Sequence, residues 1–459
     1  MGNLKLRLSL IAAGLLAVGS VSAQLRLTLD EAVQMALSEN PTVRIADLEV
    51  ERCDYVRMQT RGSLLPQLTA EGTYQRSIVK STMRGGISFG ADNTYTATAN
   101  LSVPLFAPAV YRTLKLNRTQ MAAAVESARS SHLTLVAEVK KAFYNILLAR
   151  QSLATLEESR RTIQQTVDDT KMKYEQGLAS EYDYLTARVE LSNLLPTITQ
   201  TKNSIDLAEL QLKMYLSIPE TVAVEPVGNL DALRDLVLTA GEPLSTDVSQ
   251  NSDLRALDIQ AEVLHYQLKA ANAARIPTIA AFGSATITGN DMEDFRQMMQ
   301  GGAESGTGEA VAALNSSKYY WTHPITVGLQ ISIPIFSGLT NSYKAREVRN
   351  RLVQLDLQRD YARRQTAVAV QSAINNLLTA RETMLAQAKT MEQADKAYRI
   401  SDTRFRAGAG TILELNTAQL NRTQAHLNYS QAIYDYLSAQ ADYDQIVGKE
   451  PERNEKVKP

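Results

Sequence analysis

Tyr174-Glu-Gln-Gly-Leu-Ala-Ser-Glu-Tyr-Asp-Tyr-Leu-Thr-Ala187 is answered 231 residues later by Phe405-Arg-Ala-Gly-Ala-Gly-Thr-Ile-Leu-Glu-Leu-Asn-Thr-Ala418. Each stretch runs from an aromatic residue to a glycine, then to a hydroxyl residue, then to an acid. Gly177 and Gly408 accept positive φ without strain, as a turn between antiparallel helices requires. Ser180 and Thr411 are suited to cap the helix that follows, with Asp183 and Glu414 three residues on as their first-turn partners. The spacing therefore predicts one helix-turn-helix device used twice.

The segments on either side of these turns are long and proline-poor. From Ala109 to about Gln176, and again from Leu339 to about Ala407, there is no proline. Apolar residues recur at three- and four-residue spacing, as in Leu133, Val136, Val139, Phe143, Ile146 and Leu147. A helix of ~68 residues would be ~100 Å long and needs a coiled-coil partner. The return helices run to about Leu216 and Ile446, and Pro196 predicts a kink or a junction in the first of them.

Two further matches lie upstream, in the same order in both halves. Asn40-Pro-Thr-Val-Arg44 through Leu65-Pro66-Gln67-Leu68 aligns with Asn251-Ser-Asp-Leu-Arg255 through Ile276-Pro277-Thr278-Ile279. Val103-Pro104-Leu105-Phe106 aligns with Ile333-Pro334-Ile335-Phe336. The chain is a duplication. Residues 24–217 form a first repeat and 251–447 a second, joined by an irregular connector at 218–250 with one short helix. Residues 448–459 form a polar tail, and the second repeat carries a longer loop at 290–318.

Within each repeat the apolar period changes. Thr28 to Gly62 reads as helix, with Thr28 and Glu31 as a capping box. Alternation then takes over at about 66–78 and 94–105, and in the second repeat at about 277–289 and 319–335. Ile325, Val327, Leu329, Ile331 and Ile333 oppose Thr326, Gly328, Gln330 and Ser332, the half-buried strand pattern. Each repeat thus holds a strand pair followed by a helical hairpin, at about 109–216 and 339–446. Pro66, Pro104, Pro277 and Pro334 sit where strands should end and redirect, since proline cannot serve an interior ladder.

Composition narrows the function. Lys and Arg number 48 against 49 Asp and Glu, which lacks the basic excess a nucleic-acid binder needs. One cysteine, Cys53, excludes a disulfide framework, and four scattered histidines offer no pair with metal-ligand spacing. No catalytic, cofactor-binding or metal site is expected. Gly86-Ile-Ser-Phe-Gly90 fits a nucleophile-elbow pattern, yet it lies between two strands with no helix following. The N-terminus reads as a signal peptide over residues 1–23. Lys5 and Arg7 precede the apolar run Leu8–Val18, and Val21-Ser22-Ala23 precedes a mature start at Gln24. Strands with one apolar and one polar face behind an export signal fit a membrane β-barrel. Four strands cannot close one, and open edges are not tolerated in lipid, so other copies of the chain must complete it. Tyr74, Tyr95, Tyr319, Tyr320 and Trp321, at strand ends, are placed for an aromatic girdle.

The duplicated order of strand pair, long helix, glycine tip and return helix resembles the TolC-like outer membrane efflux family. The resemblance runs from Leu27-Thr-Leu-Asp-Glu-Ala-Val-Gln-Met-Ala-Leu-Ser-Glu-Asn-Pro41 to about Val447. It implies a mainly α protein with a transmembrane β part, a homotrimer forming a 12-stranded barrel in the bacterial outer membrane. It also implies an α-helical periplasmic tunnel that meets a periplasmic adaptor (membrane-fusion) protein. The driving partner would be an inner-membrane pump of the resistance-nodulation-division type, or an ABC transporter secreting a protein. On this resemblance Tyr174, Gly177, Ser180, Asp183, Phe405, Gly408, Thr411 and Glu414 lie at the adaptor-docking tips. Asp183, Glu414 and Phe405 are candidates for the pore constriction. The two acids have two readings, as caps or as an acidic ring.

The match is incomplete at the tip. The best-known members have a second acid one turn after the position of Glu414, where this chain has Thr417. Their closing Tyr and Arg correspond to Phe405 and Gly410. Closure here is expected to rest on Phe405 and on the charges of Lys173, Arg188, Arg404 and Arg406. A non-channel exported coiled-coil scaffold is the rival class, and it needs neither alternating strands nor duplicated tips.

Overall fold

The computed structural model describes residues 25–82, 88–240, 244–291 and 319–450. The expected signal peptide, most of the 290–318 loop and most of the polar tail lie outside the described residues. So do residues 86 and 87 of the Gly86–Gly90 motif. In chain order the strands are β1 Leu25–Leu27, β2 Gln67–Arg76, β3 Ser81–Thr82, β4 Ser88–Phe89, β5 Asn93–Phe106, β6 Val224–Pro226, β7 Thr278–Asp291, β8 Tyr319–Thr322 and β9 Ile325–Ser332. The helices are α1 Leu29–Glu39, α2 Pro41–Gly62, α3 Pro108–Glu175, α4 Glu181–Leu216, α5 Leu230–Ala240, α6 Ser252–Ala273, α7 Thr340–Arg406 and α8 Ile412–Val447.

The chain forms two compact units. One comprises the described parts of residues 1–49, 124–257 and 358–459, and the other the described parts of residues 50–123 and 258–357. The first unit is mainly helical. Its core centres on Phe143, Ile146, Leu212, Leu216, Ile433 and Leu437, all at most 1 % exposed. These residues come from α3, α4 and α8, so the four-residue periodicity read in α3 is the face that packs. The capping box at Thr28 is present: the Glu31 carboxylate accepts from Thr28 N at 2.8 Å, and Glu31 N donates to Thr28 Oγ1 at 3.4 Å. Those bonds, the backbone one foremost, hold the Glu31 carboxyl below its ordinary pKa.

Three sequence expectations about this unit need correction. The helix expected from Thr28 to Gly62 breaks at Asn40, whose backbone is extended (φ −66°, ψ 128°). Pro41 disfavours helical geometry at the residue before it and starts the next helix well. Of the kink or junction expected at Pro196, the junction is absent, because α4 runs unbroken from Glu181 to Leu216. The proline's missing N–H leaves the Ser192 carbonyl without a helical donor, and Ser192 is exposed, so water can serve it. The connector also holds a strand, β6, which pairs in parallel with β1 through Leu25–Val224, Arg26–Glu225 and Leu27–Pro226.

The duplication reappears as a repeated side-chain device. Asn40 Nδ2 donates to Tyr215 O at 2.8 Å, and its Oδ1 accepts from Thr42 N at 2.8 Å. Asn251 Nδ2 donates to Ile446 O at 2.8 Å, and its Oδ1 accepts from Leu254 N at 3.0 Å. Each buried asparagine caps the helix that follows it and ties that helix to the last turn of its repeat's return helix.

The second unit is built on an antiparallel sheet in the order β2-β5-β7, with β8 and β9 both on the far edge of β7. The strand expected at 319–335 is therefore two strands, interrupted at His323-Pro324. Pro324 has no N–H to give the ladder, and its carbonyl accepts instead from Thr286 N at 3.0 Å. Pro66 and Pro277 immediately precede β2 and β7, and Pro334 follows β9. Pro104 lies inside β5, beyond the last β2 pair (Gln67–Ser102) and at a register shift against β7 between Pro104 and Phe106. It thus sits where one neighbour has been lost and a bulge begins.

Register fixes the two faces. Leu68, Ala70, Gly72 and Tyr74 align with Leu101, Ala99, Ala97 and Tyr95, and onward with Gly283, Ala285, Ile287 and Gly289. Ile325, Val327, Leu329 and Ile331 continue this face on β9. The opposite face carries Thr, Ser, Asn and Gln. Two glycines are filled from across a strand: a Cβ at Gly289 would lie 2.8 Å from the Trp321 ring, and one at Gly328 2.8 Å from the Phe282 ring. Aromatic cover of this kind restores packing where glycine would weaken a strand.

Candidate functional site

The two tips share one backbone construction. Gly177 adopts φ +75° and Gly408 φ +72°. Gly177 N donates to Tyr174 O and Leu178 N to Lys173 O, at 2.9 and 2.7 Å. Gly408 N donates to Phe405 O and Ala409 N to Arg404 O, at 3.1 and 2.8 Å. Both are Schellman motifs, in which glycine supplies the left-handed residue and satisfies the last carbonyls of the outgoing helix. A capping box then opens each return helix. Asp183 N donates to Ser180 Oγ at 3.1 Å, and Ser180 Oγ donates to the Asp183 carboxylate at 2.7 Å. Glu414 N donates to Thr411 Oγ1 at 3.2 Å, and Thr411 N reaches Glu414 Oε2 at 3.5 Å. Both acids are engaged as caps, and Glu414 remains half exposed.

The side chains around the tips differ. Tyr174 stacks on Tyr184, with ring centroids 6.1 Å apart and planes 7° apart. Phe405 is half-buried against a cluster of Ile163, Val167, Ala187, Ile412 and Leu415. Lys173 Nζ lies 4.8 Å from the Phe405 ring centroid, a cation–π distance. The other three charges expected at closure are each occupied locally. Arg188 lies over Tyr184, Arg404 is 3.9 Å from Glu414, and Arg406 pairs with Asp402 on its own helix at 2.9 Å. Leu178, Tyr182 and Leu413 are exposed at the tips.

Sequence reasoning missed a polar layer further from the tips. Arg422 bonds Asp395 at 2.7 Å and Glu158 at 2.9 Å, and His426 meets Asp395 at 3.0 Å. Burial works against the Asp395 charge, but its bonds from His426 and Arg422 outweigh that and hold its pKa below the ordinary value. One turn away, Ser159 Oγ accepts from Gln419 Nε2 and from Thr423 Oγ1, at 3.1 and 3.0 Å. These contacts join α3 and α7 to α8. Partners far apart in sequence leave no local spacing, so no motif could have shown them.

On the sheet, four of the five expected girdle aromatics share the apolar face at one end of the strands. Tyr74 and Tyr95 centroids are 5.0 Å apart, Tyr95 and Tyr319 are 5.6 Å apart edge to face, and Trp321 covers Gly289. Tyr320 is a correction: it pairs with Asn290 and falls on the polar face, as strand alternation requires. Among the described residues no group of His, Cys, Asp and Glu is arranged to hold a metal ion, and no helix is long and apolar enough to cross a membrane.

An apolar and a polar sheet face, joined to duplicated helical hairpins, match a known family along most of the chain. The profile of the outer membrane efflux protein family fits residues 32–217 and 245–449. The chain belongs to this family. It is 25% identical over 434 residues to the probable efflux pump outer membrane protein TtgC of Pseudomonas putida, covering 92% of this chain and 82% of that one. It is 23% identical to the alkaline protease secretion protein AprF of Pseudomonas aeruginosa, over 84% of this chain and 77% of that one. The fold is that of the outer membrane protein VceC of Vibrio cholerae, with a TM-score of 0.72 at 14% identity over 92% of this chain and 96% of that chain. The family is one of channel proteins rather than enzymes, and its members reside in the outer membrane.

Proposed function

We propose that this outer membrane efflux protein is the passive exit duct of a tripartite system. Drugs or other small molecules would be driven by an inner-membrane pump and delivered through a periplasmic adaptor. The observation that carries this reading is the unfinished sheet. β2 and β9 each have a partner strand on one side only among the described residues, while one face is apolar and the other polar. Such edges cannot stand open in lipid. Three copies, each giving four strand positions, close a 12-stranded barrel with the apolar face to lipid and the polar face to water. Tyr74, Tyr95, Tyr319 and Trp321 then form the girdle at one interface. The helical hairpins extend into the periplasm. Their tips, with exposed Leu178, Tyr182 and Leu413, meet the adaptor, and Phe405, Asp183 and Glu414 narrow the pore there.

A second reading has a specific observation behind it, the similarity to a protein named for protease secretion. In that reading the same duct serves an ABC transporter that exports a protein. Deleting the gene separates the two. Raised drug accumulation in the cell supports the pump reading; normal drug handling with loss of one secreted protein overturns it in favour of the second.

A further inference from the structure

The polar face of the sheet is almost uncharged. Across β2, β5 and β7 its rows read Gln67–Ser102–Phe282, Thr69–Asn100–Ser284, Glu71–Thr98–Thr286, Thr73–Thr96–Thr288 and Gln75–Thr94–Asn290. On β9 it carries Thr326, Gly328, Gln330 and Ser332. Among the described residues Glu71 is its single charged side chain. Arg76 and Asp291, the other charged residues of these strands, lie at the aromatic end and on the apolar face. Glu71 is exposed, and neither a hydrogen bond nor an ion pair engages its carboxylate among the described residues. Its row is otherwise a hydroxyl ladder, with Thr98 Oγ1 and Thr286 Oγ1 3.2 Å apart.

The geometry points to Glu71 as a residue that sets the charge preference of the duct within the barrel, favouring cations. The inference rests on the trimeric channel reading, in which three-fold symmetry turns one carboxylate into a ring of three. Twelve strands about 4.8 Å apart and tilted about 40° enclose a backbone radius of about 12 Å. A glutamate reaching inward brings its charge to within about 8 Å of the axis. The Debye length is about 10 Å at 0.1 M salt and about 3 Å at 1 M, so the ring governs the whole cross-section at low salt and little of it at high salt. Hydroxyl and amide neighbours bring no fixed charge to offset it, and a ring of acids favours cations in a pore. This placement separates barrel selectivity from any contribution of Asp183 and Glu414, which are engaged as helix caps.

The test is the reversal potential of the purified full-length protein in planar lipid bilayers under a potassium chloride gradient. The wild type is expected to prefer cations near 0.1 M and to lose most of that preference near 1 M. Glu71→Gln should lower the cation-to-anion permeability ratio at low salt by about two-fold or more while retaining conductance, and Glu71→Lys should turn the preference towards anions. A wild type without cation preference, or an E71Q channel with the wild-type ratio, overturns the inference and leaves the channel reading standing. A wild type with no conductance at all overturns the channel reading, and the inference with it.

Discussion

The two repeats end their return helices at equivalent positions with different residues, Ser217 and Gly448. Both are left-handed, at φ +56° and +81°. Ser217 tolerates the conformation at some cost, as a side chain there must. Gly448 has no such latitude, because a Cβ would lie 2.2 Å from the backbone oxygen of Gln250. Arg129 gathers the same place, donating to Gly448 O at 2.9 Å, to Gln250 O at 3.0 Å and to Ser252 Oγ at 3.2 Å, and pairing with Glu126 and Glu450. The lesson is that duplication copies backbone devices, while the second copy's end has become the place where the connector and the opening of its own repeat are fastened.

That contrast is broken most forcefully at Gly448. Gly448→Ser should destabilise the protein by about 3 kcal/mol, from strain and a backbone clash together. Ser217→Gly should stabilise it by about 1 kcal/mol. Unfolding in detergent, followed by circular dichroism, measures both, and equal effects would erase the distinction drawn here.

At the tips the comparison is between Phe405 and Tyr174. Phe405→Ala removes a half-buried ring and the seat of Lys173, and should cost about 2–3 kcal/mol. It should also raise the conductance of the isolated channel. Tyr174→Ala loses one ring contact, about 1 kcal/mol, and should leave conductance unchanged. If both variants conduct like the wild type, closure does not rest on Phe405.

The caps sharpen the comparison from the other side, because they are the part the repeats share. Ser180→Ala and Thr411→Ala should each cost about 1 kcal/mol, and by similar amounts. A much larger loss for one would mean that its acid partner has a second task.

The smallest effect concerns pH, in the polar layer that joins α3 of the first hairpin to α7 and α8 of the second. Asp395 is held below its ordinary pKa in the folded protein, so its stabilising contribution is present above the unfolded carboxylate value of about 3.9 and is lost as pH falls through the lower folded value. His426 and Arg422 on α8 and Glu158 on α3 are the charged or titratable groups bonded within this cluster. Asp395→Asn should flatten the stability profile below about pH 4, read by unfolding across that range.

Much of this fold was legible because its signals are local. Gly177 and Gly408, with Ser180–Asp183 and Thr411–Glu414, contain the whole turn-and-cap construction within a dozen residues. The strands were legible because one face is apolar at every second position. What was not legible depended on distance or on tolerance. β1 and β6 are three residues each, too short to show a period, and their pairing spans the first repeat. Pro196 is absorbed because Ser192 is exposed, whereas Pro41 breaks a helix because Asn40 finds better partners outside it. Pro324 splits a strand that alternation alone carries straight through. The adaptor and pore roles proposed for the tip residues rest on family resemblance alone, since a Schellman turn with a capping box serves any helical hairpin.

Everything assigned to the sheet depends on its completion by other copies of the chain. The most direct test is the detergent-corrected molar mass of the protein extracted from the outer membrane fraction. A mass near three times that of one chain is expected, with three sheets closing one barrel. A monomer recovered from the soluble fraction would contradict it, because β2 and β9 would then stand open in water and no duct would form.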